Sequence, residues 1–357
     1  MNRITGIVAL SLVICLFALN ASAQDKIPLP YQSQEIKFDG HGVSLAGTLL
    51  MPKIESGKRA PGVLIIPSGG QTTRDSLTFG KATHPIYRET AEYLAARGMI
   101  VLRFDRRCTG ASECKPAEAF DDFIDDARSA LNILRKQSPI DTSRIFLFGH
   151  GEGALIAASI GTHEEEKLAG VALASMAGRT LNKVLREQVR NRMSESGKNA
   201  EEINAYLKKF DRVTRDIMSG MSEFPEIKLD PKDPYDAILG DLIKDHKVVM
   251  SLMINDPLQV AINIKAPVLV LQGKKDKLVG VKDAQFIEDA LKRVYHPDAT
   301  VYLLDDDDYL FKTNKGEATM ASLEDVSRPL DPAFLKILTE WVEKRSNSAK
   351  IASEKRD

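Results

Sequence analysis

The chain has 357 residues and a nearly balanced charge, with 49 Lys and Arg against 50 Asp and Glu. Its 43% hydrophobic and 28% charged residues are ordinary for a globular protein, which excludes collagen, coiled coils and wholesale disorder. There is no basic excess to indicate nucleic-acid binding, and 6 His with 3 Cys argue against a multi-zinc or disulfide-framework protein. The length allows one large α/β domain with an insertion, or two medium domains.

Residues 1–23 have the features of a secretory signal peptide. Arg3 gives a short positive region, residues 7–19 are apolar, and residues 21–23 form an A-x-A cleavage site. The apolar run is shorter than the roughly 20 residues that span a bilayer, so a permanent anchor is the less favoured alternative. We expect cleavage near Ala23, a periplasmic or extracellular mature protein, and no stable membrane anchor after cleavage.

If the protein is exported, its remaining cysteines are in a compartment where disulfides can form. Cys15 would leave with the signal peptide, and Cys108 and Cys114 would remain in a loop that contains glycine and serine. An oxidising compartment permits a disulfide between them, with two free thiols as the alternative.

Strand and helix signals alternate from residue 24 onward, which favours a mostly parallel sheet with helices on both faces. Asp39 and Gly40 predict an opening hairpin. The continuous apolar run 63–67 is typical of a strand that is buried on both faces. The remaining signals predict strands at 34–38, 43–50, 99–104, 144–148, 168–174, 266–272 and 300–304, and helices at 86–96, 120–136, 154–160, 283–294 and 332–344.

The alternation stops between residues 180 and 263, where helical and charged segments carry no strand signal. We therefore predict one α/β core made of 24–179 and 264–345, with an α-helical lid at 180–263. Residues 346–357 are predicted to be a frayed polar tail.

The strand 144–148 leads into the sequence GHGEG at 149–153 and then into a helix. This strand–turn–helix order is that of the nucleophile elbow G-x-S-x-G, whose glycines permit a tight turn. Other landmarks follow in the order expected around such an elbow. PSGGQ at 67–71 follows a buried strand, DRR at 105–107 follows the next strand, and GKKD at 273–276 follows the strand 266–272.

This order of motifs resembles the α/β-hydrolase superfamily, and most closely its exported bacterial branch of serine aminopeptidase-like and esterase/lipase-like hydrolases. The resemblance covers residues 34–344 and implies an eight-stranded, mostly parallel sheet flanked by helices. It implies a triad acid at Asp276 and an oxyanion hole built from backbone N–H groups of Gly70 or Gln71 and of Glu152. The sequence shows no cofactor motif, so no cofactor is expected, and the expected ligand is a small acyl or peptide-like molecule.

Two of the three triad positions depart from the pattern of that family. Gly151 stands where the nucleophilic Ser belongs, and Tyr309 stands where the His belongs. Tyr has a pKa near 10 and is a poor general base at neutral pH. Gly adopts the strained backbone of an elbow without the usual cost, so the fold can survive the loss of the nucleophile.

Two hypotheses on function follow from these substitutions. In the first, the protein has lost Ser–His–Asp catalysis and binds a ligand or partner in the old cleft. In the second, it hydrolyses ester or peptide bonds by an unorthodox route, with a water held by Asp276, Tyr309 or His84. His84 is the additional cleft candidate because it follows the oxyanion loop, whereas His150 is expected to be a packed, hydrogen-bonded residue.

Four consecutive aspartates at 305–308 are the least expected feature of the sequence. They form either a solvated acidic loop or a ligand site at the carboxyl end of the sheet. Their spacing is not that of a calcium-binding EF-hand loop, so a metal site is not predicted.

Overall fold

The computed structural model describes residues 29–224, 227–230 and 232–354, so the predicted signal peptide lies outside the described residues. An eight-stranded sheet runs through the chain. Its strands are β1 (Tyr31–Asp39), β2 (Ser44–Pro52), β3 (Ala60–Ile66), β6 (Ile100–Phe104), β7 (Ile140–His150), β8 (Gly170–Ala174), β9 (Val268–Gly273) and β10 (Ala299–Leu304).

The order across the sheet is β1-β2-β6-β3-β7-β8-β9-β10. The β1–β2 and β2–β6 pairs are antiparallel, and all the other pairs are parallel. All eight predicted strands and the opening hairpin are therefore confirmed. A small hairpin of β4 (Leu77–Phe79) and β5 (Ala82–His84) was not predicted, because strands of three residues are too short to show an alternating pattern.

Helices cover both faces of the sheet and explain the apolar run in β3. Along this strand, Leu64 and Ile66 pack into the core on one face, and Val63 and Ile65 pack into the core on the other. Helices α2 (Phe120–Arg135), α3 (Glu152–Gly161) and α9 (Val281–Arg293) contribute to the first core, and α1 (Ile86–Ala95) and α10 (Pro332–Glu354) contribute to the second.

The segment between β8 and β9 is helical, as predicted. It contains α4 (Leu181–Glu195), α5 (Ala200–Met218), α6 (Pro234–Lys244), α7 (His246–Ile254) and α8 (Pro257–Ile262), and it has a hydrophobic cluster of its own. Two of these helices begin with an Asp–Pro pair. Asp233 caps α6 and Asp256 caps α8, and each is followed by a proline in the first turn. The role of this segment as a lid remains a prediction.

The last helix continues beyond its predicted end at residue 344 and reaches Glu354. The predicted polar tail therefore begins inside a helix, because residues 345–354 contain no glycine or proline to stop it. Just before this tail, the Arg345 guanidinium pairs with Asp298 and lies over the ring of Trp341. Among the described residues, no helix combines the length and the apolar character needed to cross a membrane.

Candidate active site

The predicted elbow is present at the junction of β7 and α3. Gly151 has φ +56° and ψ −119°, a conformation that other residues rarely adopt. The turn is also crowded, since a Cβ on Gly149 would lie 2.2 Å from the carbonyl oxygen of Gly153. The elbow geometry thus persists in a chain that has no nucleophile side chain at its apex.

Tyr309 occupies the space that a nucleophile would need. A Cβ on Gly151 would lie 2.0 Å from the Tyr309 hydroxyl and 2.5 Å from Ser68 Oγ. These two hydroxyls are 2.8 Å apart and hydrogen-bonded. Burial, with the nearby charges of Asp276 and Glu152, holds the pKa of Tyr309 well above its ordinary value, so its hydroxyl is protonated and does not act as a base.

Besides their direct hydrogen bond, Ser68 and Tyr309 are joined by a buried chain of hydrogen bonds through Tyr87 and His150. The Ser68 N–H donates to the Tyr87 hydroxyl (2.9 Å), which donates to His150 Nδ1 (2.9 Å), and His150 Nε2 donates to the Tyr309 carbonyl (2.9 Å). Burial lowers the pKa of His150 to about 4, so the ring is neutral and can both accept and donate. His150 is therefore a packed, hydrogen-bonded residue, as the sequence indicated.

Asp276 is held by its own loop. Its carboxylate accepts the N–H groups of Leu278 (2.8 Å) and Val279 (2.9 Å) and the amide of Gln272 (2.9 Å). Burial raises the pKa of Asp276 to about 7, and these three hydrogen bonds, followed by the Ser175 hydroxyl, oppose that shift. Asp276 does not line the cavity described below, and no hydrogen bond joins it to Tyr309 among the described residues.

The expectation that His84 reaches the cleft is wrong. His84 belongs to β5 and is fully buried away from the cavity. Its Nε2 donates to the Leu323 carbonyl (2.7 Å), and its Nδ1 accepts from the Lys312 ammonium group (3.0 Å). The β4–β5 hairpin turns this residue toward the second core, so both ring nitrogens are engaged elsewhere.

The run 305–308 divides into two parts. Asp305 and Asp306 are exposed and pair with Lys274 and Lys275, as a solvated acidic loop would. Asp307 and Asp308 are buried, and Asp308 pairs with Arg328 at 2.7 Å. Within the part of the chain that the structure describes, no group of three or more His, Cys, Asp or Glu side chains is placed to hold a metal ion.

A cavity of about 420 Å³ lies over the elbow. Gly70, Gln71, Glu152 and Tyr309 line it, so these predicted site residues come together with Gly151. Its remaining walls are mostly apolar and come from the β4–β5 hairpin, α3 and the helical segment: Leu77, Phe79, Leu155, Leu181, Val184, Leu185, Leu252 and Pro257.

The sequence analysis missed several polar features of this cavity, three of them at its floor. Glu152 pairs with Arg106 at 2.5 Å, and Ser68 and Ser175 line the floor. The Ser175 Oγ is fully buried, and among the described residues no hydrogen-bond partner meets it in good geometry. Of these residues, only Ser68 and Arg106 could have been found from the sequence, because they lie in the loop motifs PSGGQ at 67–71 and DRR at 105–107.

Cys108 and Cys114 are joined in a disulfide in the loop between β6 and α2. The same loop carries Asp105, which accepts hydrogen bonds from the Arg74 N–H (2.6 Å) and guanidinium (3.0 Å). The disulfide loop therefore adjoins the loop that follows β3 at the edge of the cavity.

Comparisons with known proteins identify the family of the chain and its fold. A family model for serine aminopeptidase, S33, matches residues 81–306 and so ends before Tyr309. Esterase EstD of Thermotoga maritima is 26% identical over 82% of this chain and 63% of its own length, so the chain spans less than two thirds of that relative.

Solved structures share the fold. An esterase of Pyrococcus furiosus superposes with a TM-score of 0.55 at 18% identity, covering 90% of this chain and 92% of its own. The α/β hydrolase GrgF of Penicillium gives 0.56 at 14% identity, covering 88% and 99%. The eight-stranded sheet is therefore an α/β-hydrolase fold, as predicted. The chain belongs to the serine aminopeptidase S33 family, within the α/β-hydrolases of esterase and peptidase type.

Proposed function

We propose that this chain is an exported, non-catalytic member of its family that binds a small acyl or peptide-like ligand in the cavity over the elbow. The observation that carries this proposal is the 2.0 Å between a Cβ on Gly151 and the Tyr309 hydroxyl. A serine at the elbow needs both space and a base to take its proton. In this chain the residue at the His position fills the space and is itself no base.

The other groups named for an unorthodox hydrolysis do not favour it. His84 lies in the second core, and the Asp276 carboxylate is held by two N–H groups of its own loop and by the Gln272 amide of β9. The predicted oxyanion hole, from backbone N–H groups of Gly70 or Gln71 and of Glu152, would give a residual effect, which amounts to about 10³–10⁴-fold over water in a serine protease without its triad. Weak hydrolysis is therefore an outcome that the experiment must measure.

The cavity itself supports the binding function. Its volume of about 420 Å³ is within the range of small-molecule sites. Apolar walls with a few polar groups at the floor are the usual composition of such sites. The elbow and the hydrogen-bond chain through His150 give this floor a rigid frame.

Labelling by a fluorophosphonate probe tests the loss of catalysis. We expect no labelling of the native chain and none of Gly151→Ser, because Tyr309 fills the space and no base is present. Gly151→Ser combined with Tyr309→His should react, since Asp276 is retained. Ser68→Ala tests whether any labelling comes from Ser68, which also lies at the cavity floor. Stoichiometric labelling of the native chain, or ester hydrolysis beyond about 10⁴-fold over water, would overturn the proposal.

A blocked cavity tests the binding function. Leu185 lines the cavity on α4, and Lys183 is exposed on the same helix outside it. In thermal-shift measurements with short acyl esters and aminoacyl amides, we expect Leu185→Trp to abolish a shift that Lys183→Trp retains. Equal shifts in the two variants would place the ligand elsewhere.

A further inference from the structure

We propose that the cavity takes a single-chain amphiphile with an anionic head group, bound with its head at Arg192 and its apolar end over Gly151. This inference rests on the proposed binding function and adds a ligand class and an orientation. The orientation is opposite to that of an acyl substrate, whose reacting carbonyl lies at the elbow.

One face of α4 forms the length of the cavity. Its lining residues fall in the i, i+3, i+4, i+7 and i+11 pattern of a single helix face: Leu181, Val184, Leu185, Gln188 and Arg192. At 1.5 Å per residue this stripe spans about 16 Å. The order along it is apolar first, then an amide, then a guanidinium.

The apolar end of this stripe is next to the elbow. Helix α4 begins just after β8, and the last carbonyl of β8, on Ala174, accepts the N–H of Gly151 at 2.9 Å. Arg192 lies three turns further along α4 and is exposed. Along α4 the lining of the cavity thus changes from apolar near the elbow to cationic at Arg192.

Of the two arginines that line the cavity, Arg192 has no ion-pair partner among the described residues. The other one, Arg179, is bound by Asp283 (2.7 Å) and by Glu187. In the part of the chain that the structure describes, the Arg192 guanidinium has no hydrogen bond or ion pair. The nearby Glu195 carboxylate accepts the N–H of Met320 at 2.8 Å.

Among the described residues that line the cavity, those at the floor include a carboxylate and no unpaired cationic side chain. Glu152 lines it, and its carboxylate would lie 2.7 Å from a Cβ on Gly69. Arg106 already balances this carboxylate at 2.5 Å. The other floor groups are the neutral hydroxyls of Ser68, Ser175 and Tyr309. An anionic head group at the floor would face the Glu152 carboxylate, whereas at Arg192 it would meet an unpaired cation, so we place the head group at Arg192.

Calorimetry with three submicellar ten-carbon probes tests this orientation: decanoate, decanol and decyltrimethylammonium. We expect decanoate to bind about fivefold more tightly than decanol, which is the scale of an exposed ion pair, and the cation to bind most weakly. Arg192→Gln should remove this preference and leave decanol binding unchanged. Arg190→Gln, an exposed arginine outside the cavity on the same helix, is the matched control. High salt should reduce the preference in the native chain.

The outcomes separate the two proposals. If decanoate binds Arg192→Gln as tightly as it binds the native chain, or if decanol binding falls equally, the anionic-head inference is wrong. The binding function would still stand as long as Leu185→Trp abolishes binding. If the native chain binds neither these probes nor the esters and amides, both proposals fail.

Discussion

Gly151 combines a positive φ with a lack of room for any side chain. Its neighbours on the cavity floor, Tyr309 and Ser68, are fixed through Tyr87 and His150 and cannot withdraw freely. The loss of the nucleophile at position 151 and the replacement of the base at position 309 are therefore physically linked. The Tyr309 hydroxyl fills the space that a side chain on residue 151 would need.

Gly151→Ala should destabilise the protein more than an alanine at a glycine in open space. Gly57 is the matched control, with φ +79° and no atom within 4 Å of an added Cβ. Both variants bear the strain of a positive φ, but only Gly151→Ala collides with Tyr309 and Ser68. We expect its free energy of unfolding to fall by about 1–3 kcal/mol more than that of Gly57→Ala in urea titrations. Equal losses would contradict the close approach of Tyr309.

Asp307 should make stability fall as the pH rises from 4 to 8. It is 1% exposed, and burial followed by the Asp331 carboxylate raises its pKa to about 8. Between its unfolded and folded pKa values the native state binds the additional proton, so the free energy of unfolding decreases with increasing pH. In urea titrations between pH 4 and 8, Asp307→Asn should reduce the decrease of the unfolding free energy with pH. Part of the decrease should remain in this variant, because the pKa of Asp276 is also raised, to about 7.

The exposed Asp306 is the control for this experiment. Lys275 lowers the pKa of Asp306, so its contribution to stability is lost only in more acidic solution. Asp306→Asn should leave the slope between pH 5 and 8 unchanged. A slope that Asp306→Asn flattens as much as Asp307→Asn does would contradict the assignment.

At the scale of elements, the loop between β6 and α2 is held by more than its disulfide. Ser112 Oγ accepts the Ala46 N–H (2.9 Å) and donates to the Asp105 carbonyl (2.8 Å), and the Glu113 N–H donates to the Ser44 carbonyl (2.8 Å). These bonds attach the loop to the start of β2 independently of the sulfur atoms.

Replacing both cysteines should therefore have a limited effect. The disulfide closes a loop with a sequence separation of 6 residues. Chain entropy predicts that Cys108→Ser with Cys114→Ser lowers the free energy of unfolding by at most about 2 kcal/mol. Urea unfolding without reductant measures this loss, and intact mass after alkylation gives the thiol state of the native chain. Two alkylated thiols in the native chain would contradict the disulfide.

At the scale of the whole molecule, export remains a prediction from residues 1–23. We expect the mature protein to begin near Gln24 and to be found in the periplasm or medium, because Arg3, the apolar run and the A-x-A site form a cleavable signal. N-terminal sequencing of the fractionated protein measures this. A chain that begins at Met1 and is confined to the cytoplasm would contradict it.

The sequence by itself determined the sheet, its helical layers and the helical segment before β9. These features depend on local patterns, such as the apolar run of β3 and the Asp–Pro pairs that begin α6 and α8. It also placed Gly151 at an elbow, because the strand–turn–helix order is a local signal. Each of these patterns is complete within one or two elements.

Only the tertiary structure decided how distant side chains meet. Ser68 and Tyr309 are 241 residues apart in sequence, and no local pattern predicts that their hydroxyls share the space above Gly151. The turn of the β4–β5 hairpin directs His84 into the second core, and the loop after β10 buries Asp307 while it exposes Asp306. A residue's type limits its chemistry, but its burial and partners depend on which strands are adjacent, and strand order is a long-range property of the fold.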